Sequence, residues 1–499
     1  MKAQATVGIA QDEESMGLFT VEEIREVISV KVLAGPDSFS GKHLIRQIST
    51  DSRSVRRGDL FVALRGDRYD GHEFVPAALA QGAAGAIVHD QYRLPPGSAA
   101  VRKVDRQPVP FLFGVRDPLF AYQQLATHYR SRFHIPIMAV TGSNGKTTTK
   151  DMVAAVLAQR WPVLKTDGNL NNRIGVPATL LRLTTRHHAA VIEMGVDQQG
   201  QTTRLCEIVK PTIGLITNIG PDHLEFFGSM EGSAQAKAEL LDMLPADGTA
   251  ILNADDHYFG YLAARAQCRV LSFGFSEMAD VRASEVTFDV RQGTAFRLHL
   301  PGKSRPTAIR IKVHGTHNVT NALAAAAVGA ALALSGSMIA QGLGRFRPAA
   351  MRSQVVTHHG VHIINDCYNA NPASMRAALQ LLAQWSPARE RIAVLGDMLE
   401  LGPETRQMHR DVGQFLATQG LSRLIVCGTL GQDIAEGARR GGMAGSQIDE
   451  VVDAAAAADH LKKLVRQGDV VLVKASRGLK LEQVVQVLMG MRAVIKRAS

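Results

Sequence analysis

The chain has 499 residues, 45% of them hydrophobic and 20% charged, enough for about three domains that each bury a core, which excludes a mostly disordered chain. Lys and Arg number 56 against 46 Asp and Glu, a formal charge of +10 that favours anionic ligands, but the basic residues come as isolated pairs such as Arg56-Arg57 and Arg439-Arg440, so no nucleic-acid-binding arm is expected. The four cysteines, Cys206, Cys268, Cys367 and Cys427, show no CxxC or metal-ligand spacing, which excludes a disulfide scaffold and fits free thiols in a reducing cytosol.

The segment from Met1 to Gly17 is polar, with Asp12, Glu13 and Glu14 where a secretory signal needs a basic end and an apolar stretch, and it reads as a loose preface. Thr20 with Glu23 three residues on forms a capping-box pattern, which predicts a helix to about Val30. Asp59 to Leu64 and Ala84 to Val88 read as short strands around a helix near Phe74 to Gln81, a small α/β unit assigned to a first domain, 1–113. From Pro136 larger α/β units follow. Ile137 to Val140, Ala189 to Glu193, Thr212 to Asn218 and Ala250 to Asn253 are apolar runs ending in small or polar groups, which predicts a parallel sheet with ligands at its carboxyl edge, in a second domain, 114–347. Ala322 to Ala340 is the most apolar stretch, but it is alanine-rich and broken by Gly329, Ser335, Gly336 and Ser337, so a buried helix pair is expected rather than a membrane span. Beyond Ala350 the same grammar returns in Val361 to Asn365, Arg391 to Leu395, Leu424 to Cys427 and Asp469 to Lys474, a third domain, 348–499, with its own doubly wound sheet. A soluble, cytoplasmic protein is expected, without membrane insertion.

Between the strand Ile137 to Val140 and a helical stretch from Thr149 to Gln159 lies Thr141-Gly-Ser-Asn-Gly-Lys-Thr-Thr148. Glycines at such a bend let backbone N–H groups face phosphate oxygens. The helix start adds positive potential, Lys146 a charge, and Thr147 a hydroxyl for Mg²⁺. The spacing departs from GxxxxGK[ST], since Val140 stands where the first glycine belongs and Gly142 comes two residues later. The motif reads as a nucleotide-phosphate site, without specifying the reaction.

TGSNGKT resembles the ATP loop of the Mur ligase family, ATP-dependent amide-bond-forming enzymes of peptidoglycan precursor synthesis. Gly168-Asn-Leu-Asn-Asn172-Arg-Ile-Gly-Val-Pro177, Thr217-Asn-Ile-Gly-Pro-Asp-His223-Leu, His317-Asn-Val-Thr-Asn321-Ala-Leu and Asp366-Cys-Tyr-Asn-Ala-Asn-Pro372 are similar to further family segments. The resemblance implies a small α/β uridine-nucleotide-binding domain, a central P-loop ATPase-like domain with a parallel sheet, and a C-terminal Rossmann-like domain. Thr50-Asp-Ser-Arg53, Phe61-Val-Ala-Leu-Arg-Gly66, Tyr69-Asp-Gly-His72 and, most discriminating, Tyr368-Asn-Ala-Asn-Pro372 are similar to the branch that joins D-alanyl-D-alanine to UDP-N-acetylmuramoyl-tripeptide. A diaminopimelate-adding sibling would carry an Asp-Asn-Pro-Arg motif instead. The implied partners are those two substrates and ATP, with one or two Mg²⁺ ions, no nucleic acid, and a monomer.

Residue by residue, the resemblance implies ATP held by Gly142, Ser143, Asn144, Gly145, Lys146, Thr147 and Thr148. It implies Mg²⁺ on Thr147 and Glu193, with a second ion on His223 and on Lys237 carrying a CO₂-derived carbamate. Glu193 also reads as a solvated strand-end acid and His223 as a merely hydrogen-bonded ring. Lys237 also reads as a direct phosphate contact or a surface lysine. Asn318 and Asn321 are placed beside adenine, although Asn318 also fits a helix cap. Arg352 is implied on phosphate and Asp366 on ribose, with Ala350-Met-Arg352 departing from the Pro-Gly-Arg of some relatives. The uridine substrate would be cradled by Ser52, Arg53, Arg65, Asp70 and His72, joined by Asn171 and Asn172. The dipeptide would be oriented by Asn369, Asn371 and Pro372, with its carboxylate near Lys474 and Arg477, where Ala475 replaces a usual glycine. Cys367 reads as a small buried residue. Asp397 and Glu400 match a branch motif without an assigned chemistry and also read as caps of the following helix. The competing readings are a sibling or folylpolyglutamate-type ligase and, from another class, a nucleotide-dependent switch, against which the missing Asn-Lys-x-Asp guanine motif and the third domain both argue.

Overall fold

A computed structural model describes residues 17–36, 44–66, 69–95 and 110–490, and these fall into two compact units. The acidic preface before Gly17 and positions 67 and 68 of the expected substrate loop lie outside the described residues.

The first unit holds the chain up to Ile135 together with Leu170–Thr185 and Glu207–Val209. Its helix Val21–Val27 opens as the sequence requires: the Thr20 hydroxyl accepts from Glu23 N–H, and the Glu23 carboxylate accepts from Thr20 N–H. Among the described residues a five-stranded sheet runs in the order Lys31–Ala34, Phe111–Val115, Gly85–His89, Leu60–Val62, Ile48–Ser49. All its neighbours are parallel except the first pair. The boundary expected at 113 therefore falls inside a strand. Every residue of Phe111–Val115 is buried, and the following helix Pro118–Ser131, capped by the Asp117 carboxylate, packs back on Leu60–Val62 and Gly85–His89. A strand with two paired neighbours cannot end a domain in its middle.

The second unit carries two sheets. The larger has nine strands among the described residues, in the order Thr307–Ile311, Gly293–His299, Val281–Asp289, Arg269–Gly274, Thr249–Asn253, Ile213–Ile216, Ile137–Thr141, Ala189–Glu193, Val163–Lys165. Pairing is parallel from Val163–Lys165 to Val281–Asp289 and antiparallel in the outer meander, which the sequence reading does not contain. The alanine-rich stretch forms the helices Thr316–Ala331 and Gly336–Arg345, and the side chains of Ala322 to Val328 are all buried. Small side chains permit close approach to the helix Lys146–Leu157: a Cβ on Gly342 would stand 2.5 Å from Val156 Cα. Among the described residues no helix is long and apolar enough to cross a membrane.

The smaller sheet has six strands, in the order Gln354–His358, Val361–Asn365, Val470–Lys474, Arg391–Leu395, Arg423–Cys427, Ile448–Val451, parallel apart from the first hairpin. Phe288 and Val290 of the larger sheet's meander pack against its apolar core.

Candidate active site

The loop after Ile137–Thr141 is shaped by two glycines whose backbones other residues rarely adopt. Gly142 has φ 132° and Gly145 φ 80°. Their missing side chains also make room, since a Cβ would stand 2.1 Å from Thr217 Oγ1 at Gly142 and 2.3 Å from Asn321 Oδ1 at Gly145. Gly145 begins the helix Lys146–Leu157 with no side-chain cap, which leaves its first N–H groups for an anion. Thr217 Oγ1 donates to Asn144 O at 2.6 Å and Asn218 Nδ2 to the same oxygen at 3.0 Å, so the next strand's end fixes the loop. Lys146 folds back, its Nζ donating to Gly142 O at 2.5 Å.

Two acids at the sheet's carboxyl edge meet this loop. Glu193 Oε1 accepts from Thr147 Oγ1 at 3.0 Å, while its Oε2 lies 3.4 Å from the buried Lys150 Nζ. The second acid, Asp222, is one the sequence reading passed over. Its Oδ1 accepts from Ser143 Oγ at 2.5 Å, Ser233 Oγ at 3.2 Å and Lys237 Nζ at 3.1 Å. Burial opposes ionisation of Asp222, but the Lys237 and Lys146 charges and the Ser143 hydroxyl hold its carboxyl below the usual carboxylate range. Burial pushes the Lys237 amine down, with Asp222 opposing, and the amine also sits 4.6 Å over the Phe227 ring.

These groups suit a hard cation. Thr147 and Glu193 offer oxygen donors, and Asp222 Oδ2 is buried without a hydrogen-bond partner. Among the described residues no three His, Cys, Asp or Glu side chains converge on a point. Lys237 as an ammonium is no ligand, so its place in such a set requires the carbamate.

The six-stranded sheet reaches the loop directly. Asn371 caps the helix Pro372–Gln384 through Ser374 N–H, and its Nδ2 donates to Asn144 Oδ1 at 2.9 Å. His223 Nδ1 lies 2.6 Å from Glu400 Oε2. Asn321 and Asn318 face inward rather than onto an open surface: Asn321 Oδ1 accepts from Thr149 Oγ1 at 3.1 Å, and Asn318 Nδ2 donates to His314 O at 2.8 Å. Asn318 is not the cap, because that position belongs to Gly315. Arg352 stacks 3.9 Å over the Tyr368 ring. Asp366 Oδ2 accepts from Lys474 Nζ at 2.6 Å, and Lys474 also reaches Asn369 O at 2.8 Å. Burial works against the charge on Asp366, yet Lys474 and the Ser353 N–H hold its carboxyl low. Arg477 pairs with Glu482 at 3.1 Å. Cys367 is buried with its thiol pushed up to about 12, chiefly by burial, so it is no nucleophile.

In the first unit, Asp70 joins Arg65 and His72. Its Oδ2 lies 2.9 Å from Arg65 Nη2, and its Oδ1 accepts from His72 Nδ1–H at 2.6 Å. His72 Nε2 accepts from His89 N–H at 2.9 Å, which fixes the tautomer. Arg53 is tied to Asp51 at 2.7 Å, Ser52 lies in the same turn, and Asn172 Oδ1 accepts from Gly175 N–H at 2.9 Å at the start of Gly175–Leu180. The neighbouring Asn171 is half-buried.

Comparison with known proteins agrees along the chain. Profiles described as Mur ligase family, catalytic domain, as Mur ligase middle domain, and as Mur ligase, glutamate ligase domain match residues 44–125, 140–329 and 351–477. The UDP-N-acetylmuramoyl-tripeptide–D-alanyl-D-alanine ligase of Bacillus subtilis is 36% identical over 468 residues, covering 94% of this chain and 97% of that relative. A crystal structure of MurF from Acinetobacter baumannii matches with a TM-score of 0.83 at 32% identity, covering 95% of this chain and 99% of that one. MurF ligase from Thermotoga maritima in complex with ADP matches with a TM-score of 0.77 at 27% identity, covering 90% and 98%. With its phosphate loop, strand-end acids and second sheet matched over nearly its whole length, the chain belongs to the Mur ligase family.

Proposed function

We propose that the chain is an ATP-dependent ligase of the cytoplasm that joins D-alanyl-D-alanine to UDP-N-acetylmuramoyl-tripeptide, making the pentapeptide precursor of peptidoglycan. The observation that carries this is the 2.9 Å bond from Asn371 to Asn144. It seats the Tyr368-Asn-Ala-Asn-Pro372 segment, the one that separates this branch from its siblings, on the phosphate loop itself. Relatives bearing that name, matched over nearly their full length, support the same reading.

In the proposed reaction the terminal carboxylate of the tripeptide attacks the γ-phosphorus of ATP and ADP leaves. The dipeptide amine then attacks the acyl phosphate, and inorganic phosphate leaves as the amide forms. The loop N–H groups from Gly142 to Thr148 and Lys146 stabilise the charge moving onto the transferred phosphoryl group. Thr147 and Glu193 would hold one Mg²⁺, and His223 with a carbamoylated Lys237 a second, and these ions would supply positive charge against the negative charge of the phosphates. Burial lowers the proton affinity of Lys237, so more of it is the neutral amine that adds CO₂ and releases a proton. Ser52, Arg53, Arg65, Asp70 and His72, with Asn171 and Asn172, are assigned to the uridine substrate. Asn318 and Asn321 are assigned to the adenine side, Arg352 and Asp366 to the nucleotide, and Asn369, Asn371, Lys474 and Arg477 to the dipeptide.

Phosphate release from ATP, measured with both substrates and with each omitted, tests the function when the product is weighed. Release that needs both, with a mass gain of the dipeptide less water, is expected. Release without dipeptide, or with a single amino acid in its place, would move the reading to an uncoupled ATPase or a sibling ligase. For Lys237, carbon-13 NMR with labelled CO₂ should give a carbamate signal, and a bare ammonium would remove it from the metal set.

A further inference from the structure

The segment Gly396-Asp-Met-Leu-Glu-Leu-Gly402 follows the strand Arg391–Leu395 of the six-stranded sheet. Neither of its acids caps the helix Thr405–Ala417, contrary to the sequence reading, because Glu404 holds that position. Asp397 Oδ1 instead accepts from Leu430 N–H at 2.9 Å, where the helix Gly431–Arg440 begins. The loop between the acids is pinned from both sides. Met398 N–H donates to the buried His409 Nε2 at 2.9 Å, and Leu399 N–H donates to Ser476 Oγ at 3.0 Å.

So held, Glu400 sits in the left-handed region at φ 63°, and the residue it faces, His223, does the same at φ 52°. Side chains of this size rarely adopt that backbone unless the surroundings impose it, and such positions gather at functional sites. The two segments meet twice. Glu400 Oε2 lies 2.6 Å from His223 Nδ1, and Glu400 O accepts from Glu225 N–H at 3.3 Å. A side-chain bond and a main-chain bond between loops of two different sheets make this a built contact.

A carboxylate can only accept, so a ring proton of His223 sits on Nδ1, and in the neutral ring Nε2 carries the lone pair. His223 adjoins Asp222, which bonds to Ser143 of the phosphate loop at 2.5 Å. A carboxylate on the far nitrogen is how proteins fix the tautomer and orientation of a metal-binding imidazole. We propose that Glu400 is a positioning residue that holds His223 in the tautomer able to take a cation through Nε2. This rests on the reading of His223 as a Mg²⁺ ligand given above. Since Glu400 comes from the six-stranded sheet, His223 gains that form only while this sheet's loop is seated against the nine-stranded one. The contact thereby ties closure of the two sheets to completion of the metal set.

Mn²⁺ binding, read by electron paramagnetic resonance with a non-hydrolysable ATP analogue, tests this in parallel with turnover. Glu400→Ala should weaken Mn²⁺ binding and lower kcat, each by about 10- to 100-fold, the usual cost of losing such a partner. Glu400→Gln, whose amide oxygen still accepts the Nδ1 proton, should restore most of both. In a His223→Ala background Glu400→Ala should add nothing further. Nitrogen-15 histidine spectra should show Nδ1–H for His223 in the wild type and Glu400→Gln, with that preference lost in Glu400→Ala. Glu400 is about half exposed, at 47%, and circular dichroism would confirm that each variant is folded. If His223→Ala loses Mn²⁺ affinity while Glu400→Ala keeps it, the positioning role is overturned and the metal reading stands. If His223→Ala itself keeps wild-type affinity, both fall.

Discussion

At the scale of single residues, the site separates groups that act on the ligand from groups that hold those groups. In the proposed reaction Lys146 belongs to the first kind: it is half-buried and bonded to oxygens of its own loop. Lys146→Ala should therefore lower kcat by at least about 10²-fold while shifting stability by less than about 1 kcal/mol. Steady-state rates beside a denaturant midpoint would check this, and a folded variant with near-normal turnover would refute it. Gly145 belongs to the second kind, because an added Cβ meets Asn321 Oδ1 at 2.3 Å on a backbone with φ 80°. Asp70 shows a third case, where pH reads the contact. Burial disfavours its charge, but the His72 N–H, the His72 ring and Arg65 outweigh burial and bring the carboxyl from the ordinary 3.8 down to about 2. A depressed acid stabilises the folded state above its unfolded pKa and loses that contribution as pH falls through the folded value. The stability gap between wild type and Asp70→Asn should stay constant from pH 7 to about 5 and narrow below about 4. Denaturant midpoints across that range decide it, and a gap that is flat to the lowest measurable pH would mean Asp70 is not coupled in this way.

At the scale of elements, closeness of backbones is the main device, and it explains which parts could be read from sequence. Gly342 lets the helix Gly336–Arg345 lie against Lys146–Leu157, where a Cβ would stand 2.5 Å from Val156 Cα and 2.6 Å from Ala155 O. Gly342→Val should cost about 1–3 kcal/mol by overpacking and should disturb nucleotide binding, since the pushed helix begins at the phosphate loop. A thermal shift with and without an ATP analogue measures both, and an unchanged melting point would mean that the helices can part freely. Strands such as Ala189–Glu193, Val361–Asn365 and Arg391–Leu395 stand where their apolar runs predict, because a run of buried apolar residues bounded by a polar one marks its own end. The meander from Val281 to Ile311 was illegible for the opposite reason: its outer faces are solvated, with Glu285, Val286 and Thr287 exposed, so the apolar signal is thin. The site was legible where one segment carries the chemistry, as in the phosphate loop. It was not where partners come from distant segments, as with Ser143 and Asp222 or His223 and Glu400.

At the scale of the whole second unit, the two sheets are joined by two unlike sets of contacts. One is polar and lies at the site: Asn144 with Asn371, His223 with Glu400, and His317 with Ser353 at 3.4 Å. The other is apolar: Phe288 from the larger sheet's meander rests on the fully buried Trp385, with ring centroids 5.9 Å apart, and His314 stacks on the same indole at 5.1 Å. Polar contacts in reach of water exchange with ligand and solvent at little net cost, whereas removal of a packed ring forfeits its burial. The apolar set should therefore act as the permanent joint and the polar set as the part that responds to ligand. Phe288→Ala should destabilise by about 1–3 kcal/mol, given that the ring is only half-buried. It should also uncouple the sheets, so that one unfolding transition becomes two. The chain has two tryptophans, so a Trp161→Phe background leaves Trp385 as the only indole to report. In Phe288→Ala its emission should move to the red at a lower temperature than the loss of helical circular dichroism, while in the parent the two changes coincide. An ATP analogue should draw the transitions together again, because it reinforces the polar set that remains. Coincident transitions in Phe288→Ala would place the joint elsewhere, and separated transitions that the analogue leaves apart would show that the polar contacts do not answer to nucleotide.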